Sequence, residues 1–224
     1  MVKDNLLAVK QTLKENVKLV AVSKYQPIEL LEQAYEAGQR VFGESHALEV
    51  RDKAEVMPKD IEWHFIGHLQ TNKVKYIAPF ISCIESVDSL KLMQEINKQA
   101  LKNDRVIDCL LQFHVAQEES KSGFTLEECE QVLSSEEFSN LKNVRIVGVM
   151  GMATYTDDEK QIRKEFKTLV ANFAYLKMAY FSANEEFKEI SMGMTDDYQI
   201  AMTEGSTIVR VGSGIFGGRH RLTI

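Results

Sequence analysis

Leu19-Val20-Ala21-Val22-Ser23-Lys24 and Thr207-Ile208-Val209-Arg210-Val211-Gly212 are the stretches whose reading decides the fold. Each is a short, β-branched run carrying one cation, and they stand near opposite ends of the chain. Valine and isoleucine at this density suit strands covered on both faces, as in a parallel sheet flanked by helices. The two runs extend over 18–23 and 207–212, and six more strand-like runs lie between them, at 40–44, 62–67, 81–87, 106–115, 144–152 and 189–194.

Helical spacing fills the gaps. Ile28, Leu31, Ala34 and Tyr35 step by threes and fours toward Gly38, a C-terminal stop. Leu90, Met93, Ile96 and Ala100 repeat the pattern behind Asp88-Ser89, a capping pair. A long helix is expected over 157–180, burying Ile162, Phe166, Leu169, Phe173 and Leu176. A short one over 196–204 opens on Asp196 and Asp197, which suit its dipole, and stops before Gly205. Leu6, Leu7, Val9 and Leu13 predict an extra helix before the first strand, expected to cover the barrel floor. Strands and helices in alternation, with no Pro/Ser/Gly linker, predict the α/β class. The expected architecture is a single (β/α)8 TIM-type barrel, one domain over 1–224, with an open doubly wound sheet as the alternative. A barrel makes the first and last strands neighbours, which an open sheet need not do.

Composition limits what such a barrel can do. With 44% hydrophobic residues among 224 and a formal charge of −6, the chain reads as folded and well cored, with no general affinity for nucleic acid or membrane surfaces. Cys83, Cys109 and Cys129 are too few and unpatterned for a disulfide framework or a zinc site, so reduced core thiols are expected. No secretion signal or spanning segment is legible, and a soluble, cytoplasmic protein is expected.

Barrel chemistry sits in the turns after the strands. Those turns carry Lys24, Ser45, Met194-Thr195 and Gly212-Ser213, and the last strand carries Arg210. A lysine in a partly apolar mouth is suited to attack an aldehyde once desolvation lowers its pKa. Gly212-Ser213-Gly214 offers unhindered N–H groups and a hydroxyl for an anion, and Met194-Thr195 leads into a helix start. Turns after strands seven and eight form the usual phosphate site of barrels. Arg210, between Val209 and Val211, needs either a core carboxylate or a ligand nitrogen as partner. His64 reads as a satisfied core histidine, Lys121 as a loop lysine, and the Met150/Met152 and Met192/Met194 pairs as packing at the barrel mouth. Lysine, arginine and a phosphate-sized turn together suit a phosphorylated aldehyde held as a Schiff base.

The same segments resemble the pyridoxal phosphate homeostasis proteins. The resemblance rests on Ala21-Val22-Ser23-Lys24, Phe42-Gly43-Glu44, Trp63-His64-Phe65-Ile66-Gly67 and Ser120-Lys121-Ser122-Gly123. It continues through Ser191-Met192-Gly193-Met194 with Asp196-Asp197, and Val209-Arg210-Val211-Gly212 with Ile215-Phe216-Gly217. It implies a barrel like the N-terminal domain of alanine racemase, with pyridoxal 5'-phosphate (PLP) on Lys24. It further implies a phosphate held at Met194, Thr195, Gly212 and Ser213, and a ring nitrogen facing Arg210. Ser45 stands where the family usually has asparagine.

Three functions compete: a PLP carrier or regulator of vitamin B6 supply without turnover, a PLP-dependent racemase or decarboxylase, and a Schiff-base aldolase. Racemases and decarboxylases of this type add a β-domain that supplies acid and base across a dimer. This chain ends right after its eighth strand, which favours the carrier reading and a monomer, with PLP-dependent apo-enzymes as recipients. An aldolase has no use for Arg210, because a sugar phosphate lacks a ring nitrogen.

Overall fold

A computed structural model describes residues 1–117 and 122–218. All eight expected strands form: β1 Lys18–Val22, β2 Val41–Glu44, β3 Glu62–Phe65, β4 Cys83–Val87, β5 Ile107–Gln112, β6 Val144–Met150, β7 Glu189–Ser191 and β8 Ile208–Val211. They pair in parallel and in chain order, and β8 returns to β1, so the sheet closes into a barrel. The open sheet is thereby excluded. Val20 pairs with Arg210 and Ala21 with Val211, which sets the two cation-bearing strands side by side.

The helices among the described residues are α1 Val2–Thr12, α2 Ile28–Glu36, α3 Ala47–Val56, α4 Val74–Ile77 and α5 Leu90–Lys102, followed by α6 Leu126–Leu133, α7 Glu136–Ser139, α8 Glu159–Ala179, α9 Tyr198–Glu204 and α10 Ser213–Phe216. Their ends follow local chemistry. The Ser89 hydroxyl accepts the Leu92 N–H at the start of α5, and Asp158 accepts from Lys160 and Gln161 at the start of α8. Apolar side chains such as Leu31, Ile96, Phe166 and Val209 fill the layer between strands and helices. A second, smaller apolar cluster lies within the barrel: Val20, Cys83, Leu110, Val147, Met150 and Ile208. The three cysteines are free and buried.

Two expectations are corrected. Helix α1 does not cover the floor. It lies outside the barrel between α2 and α10, with Asn5 Nδ2 donating to the Ile215 carbonyl at 3.1 Å and Lys14 Nζ to the Met202 carbonyl at 2.8 Å. Its buried Val2, Leu6 and Val9 join the outer apolar layer. The floor suits such a stripe poorly, because Lys18, Glu62, Asp108, Lys188 and Glu189 stand among the residues that line a cavity there. Helix α9, expected over 196–204, starts two residues later, at Tyr198. Asp197 instead turns its carboxylate back, and Oδ1 accepts the Met194 N–H at 2.6 Å.

Candidate functional site at the barrel mouth

The turns after β7 and β8 meet. Gly193 has φ +99°, and a Cβ there would stand 2.6 Å from Ala201 Cβ, so glycine alone lets the chain swing from β7 into the turn. The swing carries the Thr195 hydroxyl against the next turn, where Oγ1 accepts from Gly212 N at 3.3 Å and Gly214 N at 3.4 Å. These are long, weak bonds to a neutral oxygen. Two converging N–H groups with a hydroxyl beside them make an anion cradle. It is also close-walled: a Cβ on Gly214 would meet Val211 Cγ1 at 3.1 Å and Thr195 Cγ2 at 3.2 Å. Ser213 stands exposed at its rim. Among the expected anion contacts Met194 differs, since its N–H is already given to Asp197 and its side chain is 37% exposed.

Lys24 is half-buried in the turn beyond β1. Val20 belongs to the interior apolar cluster, and alternation along β1 returns Val22 to the same face beside Gly212. Tyr25 follows with φ +62°, a left-handed conformation that costs a non-glycine residue on the order of 1 kcal/mol. Its N–H donates to Glu49 Oε1 at 2.7 Å. Behind this turn the buried Lys53 ammonium reaches the Ser23 carbonyl (2.8 Å), Glu44 Oε1 (2.7 Å) and Glu49 Oε1 (2.7 Å), while the Ser23 hydroxyl donates to Glu44 Oε1 at 2.6 Å. The backbone on both sides of Lys24 is therefore anchored from outside the barrel. Glu44 is fully buried, and its Oε2 has no partner among the described residues. Burial pushes its pKa up to about 7, because the Lys53 charge that opposes burial is shared with Glu49.

Inside the barrel, Arg210 Nη1 donates to Ser191 Oγ at 2.6 Å and Nη2 to the Gly151 carbonyl at 3.1 Å. Glu85 Oε2 lies 3.8 Å from Nη1 and accepts the Ser191 hydroxyl at 2.5 Å. The expected core carboxylate is thus present, and it engages the arginine chiefly through a serine. His64 is a satisfied core histidine, with Nδ1 2.6 Å from Glu85 Oε1. Sequence reasoning passed over Glu85 and treated Ser191 only as part of a motif. An acid alone among Ile84, Ser86 and Val87 is the same signal that singled out Arg210.

Ser45 is half-buried, and its hydroxyl lies 3.2 Å from His46 Nδ1. Met150 joins the interior cluster with Met152 against it, but Met192 packs in the outer layer, so the two methionine pairs are not equivalent. Lys121 and Ser120 lie outside the described residues.

This arrangement defines a class before it defines a member. The family model of the alanine racemase N-terminal domain matches residues 1–220, and the chain belongs to that family. An alanine racemase of Clostridium difficile 630 shares the fold at a TM-score of 0.75 and 14% identity, over 99% of this chain and 57% of its own. Much greater likeness is found to relatives that this chain matches over most of their own length. The pyridoxal phosphate homeostasis protein of Aquifex aeolicus is 38% identical over 203 residues, 90% of this chain and 87% of the relative. That of Haemophilus influenzae is 36% identical, over 92% and 87%. PipY of Synechococcus elongatus PCC7942, solved with PLP bound, is 30% identical at a TM-score of 0.88, over 97% of this chain and all of its own. The chain is a member of the pyridoxal phosphate homeostasis protein family.

Proposed function

We propose that the protein binds PLP at the barrel mouth as a Schiff base on Lys24 and serves vitamin B6 homeostasis as a carrier or regulator, without turnover of its own. The observation that carries this reading is the junction of the two turns, where Thr195 Oγ1 sits against the N–H groups of Gly212 and Gly214. A phosphate accepts those N–H groups better than a hydroxyl oxygen does, because it brings charge to the bond. Thr195 and Ser213 then supply donors at its edge, and Met194 joins them only if its N–H turns from Asp197 to the phosphate. Ser45, in the turn after β2 and one strand beyond β1, is the peripheral contact.

PLP brings an aldehyde for a lysine amine and a pyridine ring whose strength as an electron sink depends on protonation of its nitrogen. Arg210 keeps its charge in a site where burial works against it, supported by Glu85 and Asp197. A guanidinium donates and does not accept, so against the ring nitrogen it disfavours protonation. That disfavours racemisation and decarboxylation and supports a holding role. We take the protein to work as a cytoplasmic monomer, one domain over residues 1–224, passing PLP to PLP-dependent apo-enzymes. Titrating the apoprotein with PLP tests the reading. The expected result is a visible absorption band that borohydride removes; a spectrum equal to that of free PLP refutes it.

A further inference from the structure

Glu85 stands on β4, where every residue of Cys83–Val87 is buried and Glu85 alone carries a charge. Its two oxygens are divided: Oε1 lies 2.6 Å from His64 Nδ1, and Oε2 accepts the Ser191 hydroxyl at 2.5 Å. Ser191 Oγ in turn accepts from Arg210 Nη1 at 2.6 Å. The four side chains come from β3, β4, β7 and β8 and form one continuous chain inside the barrel. None is more than 3% exposed.

Donor and acceptor roles in this chain are fixed by elimination. An ionised carboxylate only accepts, so the proton on the His64–Glu85 bond belongs to Nδ1. Ser191 has a single proton, which goes to Glu85, and its lone pair is left for Arg210. Burial by itself raises the Glu85 pKa, but the hydrogen bond and charge of His64, then the Arg210 charge and the Ser191 hydroxyl, outweigh it and hold the carboxyl below its usual range. The guanidinium is consequently held at both terminal nitrogens, by Ser191 at Nη1 and by Gly151 O at Nη2. Its remaining N–H groups are the ones left for a ligand.

We propose that Glu85 is the positioning residue for Arg210: acting through Ser191, and itself fixed by His64, it sets the angle at which the guanidinium meets the ring nitrogen of bound PLP. The inference rests on the function proposed above. It separates Glu85 from an ordinary core ion pair, which would stabilise the barrel and leave the cofactor's ring unchanged.

The test uses full-length protein loaded with PLP carrying a 15N label in the ring. The ring-nitrogen chemical shift, the PLP dissociation constant and the thermal midpoint are measured for wild type, Glu85→Gln, Ser191→Ala and Ser191→Thr. In wild type the nitrogen is expected to report an unprotonated, hydrogen-bonded ring. In Glu85→Gln and Ser191→Ala it moves toward the value of a ring without that bond, and the dissociation constant rises about 10-fold, the size of one charge-assisted contact. Ser191→Thr, which keeps the hydroxyl, returns the signal toward wild type. If Glu85→Gln does not fold, the two Ser191 variants decide the matter alone. A ring-nitrogen signal identical in wild type and in the folded variants overturns the inference while leaving PLP binding intact. A wild type that shows only free PLP overturns the binding reading first, and the inference with it.

Discussion

Removing the phosphate from the ligand isolates the cradle formed by the turns after β7 and β8. Gly212 N and Gly214 N are at present held by Thr195 Oγ1 at 3.3 and 3.4 Å, lengths at which little is lost when they turn to a better acceptor. Charge-assisted bonds contribute about 1.5–3 kcal/mol each, so the two N–H groups alone, at the low end, supply about 3 kcal/mol. That corresponds to a factor of ~100 or more in affinity. Donation from the hydroxyls of Thr195 and Ser213 adds to it. Pyridoxal, which keeps the aldehyde and the ring nitrogen, is therefore expected to bind at least ~100-fold more weakly than PLP. Titration of the visible band with each ligand, in one buffer at one ionic strength, gives both constants. Equal affinities would mean that the meeting of the two turns is a packing contact and that the anion site lies elsewhere.

Gly212→Asp is expected to weaken PLP more than Ser45→Ala does, because it sets a carboxylate in the cradle while Ser45 stands outside it, in the turn after β2. Gly212→Ala adds the same Cβ, 3.3 Å from Val22 Cβ and the Val22 carbonyl, without the charge, and parity of the Asp and Ala variants in a PLP titration would count against the electrostatic argument. Stability should depend on Glu44: its pKa rises from 4.5 to about 7 on folding, so the folded state holds the proton more tightly. Stability is then highest below the unfolded value and falls as pH rises through this window, by on the order of 3 kcal/mol. Urea denaturation of wild type and Glu44→Gln across that range should show the fall only in wild type; the same fall in both would assign it to another group. Loaded protein incubated with L-alanine should show no racemisation at an ordinary enzyme rate, roughly 1–1000 per second. Chiral chromatography that finds such a rate would end the carrier reading.

The barrel was legible because its evidence is periodic. Eight short apolar, strand-like runs stand out against helical spacing, and each strand formed inside its run. The runs overshoot, as where 189–194 yields only Glu189–Ser191, because apolar residues such as Met192 carry the run past the strand's end, although Met192 N still donates to the Ile208 carbonyl at 3.1 Å. Lys24, Arg210 and the Gly212 turn were visible for a related reason: a cation or a glycine cluster is conspicuous at the end of an apolar strand. What stayed hidden depends on contacts between distant strands. Glu85 gains its meaning from Ser191, 106 positions away, and no local spacing encodes that meeting. The grip of Lys53 behind Lys24 was equally unreadable, because a lysine within a helix looks solvated until Glu44 and Ser23 are placed beneath it. Helix α1 was misplaced because an apolar stripe announces burial without saying against which surface.

If Lys24 alone carries the cofactor, as proposed, borohydride reduction followed by peptide mapping will show it. The PLP-loaded protein is reduced, digested and searched by mass spectrometry for the pyridoxyl adduct, with Lys24→Ala treated in parallel. The adduct is expected on the peptide containing Lys24, and it should be lost in Lys24→Ala protein that keeps the thermal midpoint of wild type. An adduct on Lys121 or any other lysine in the wild type, or a reducible band that survives in Lys24→Ala, would contradict it.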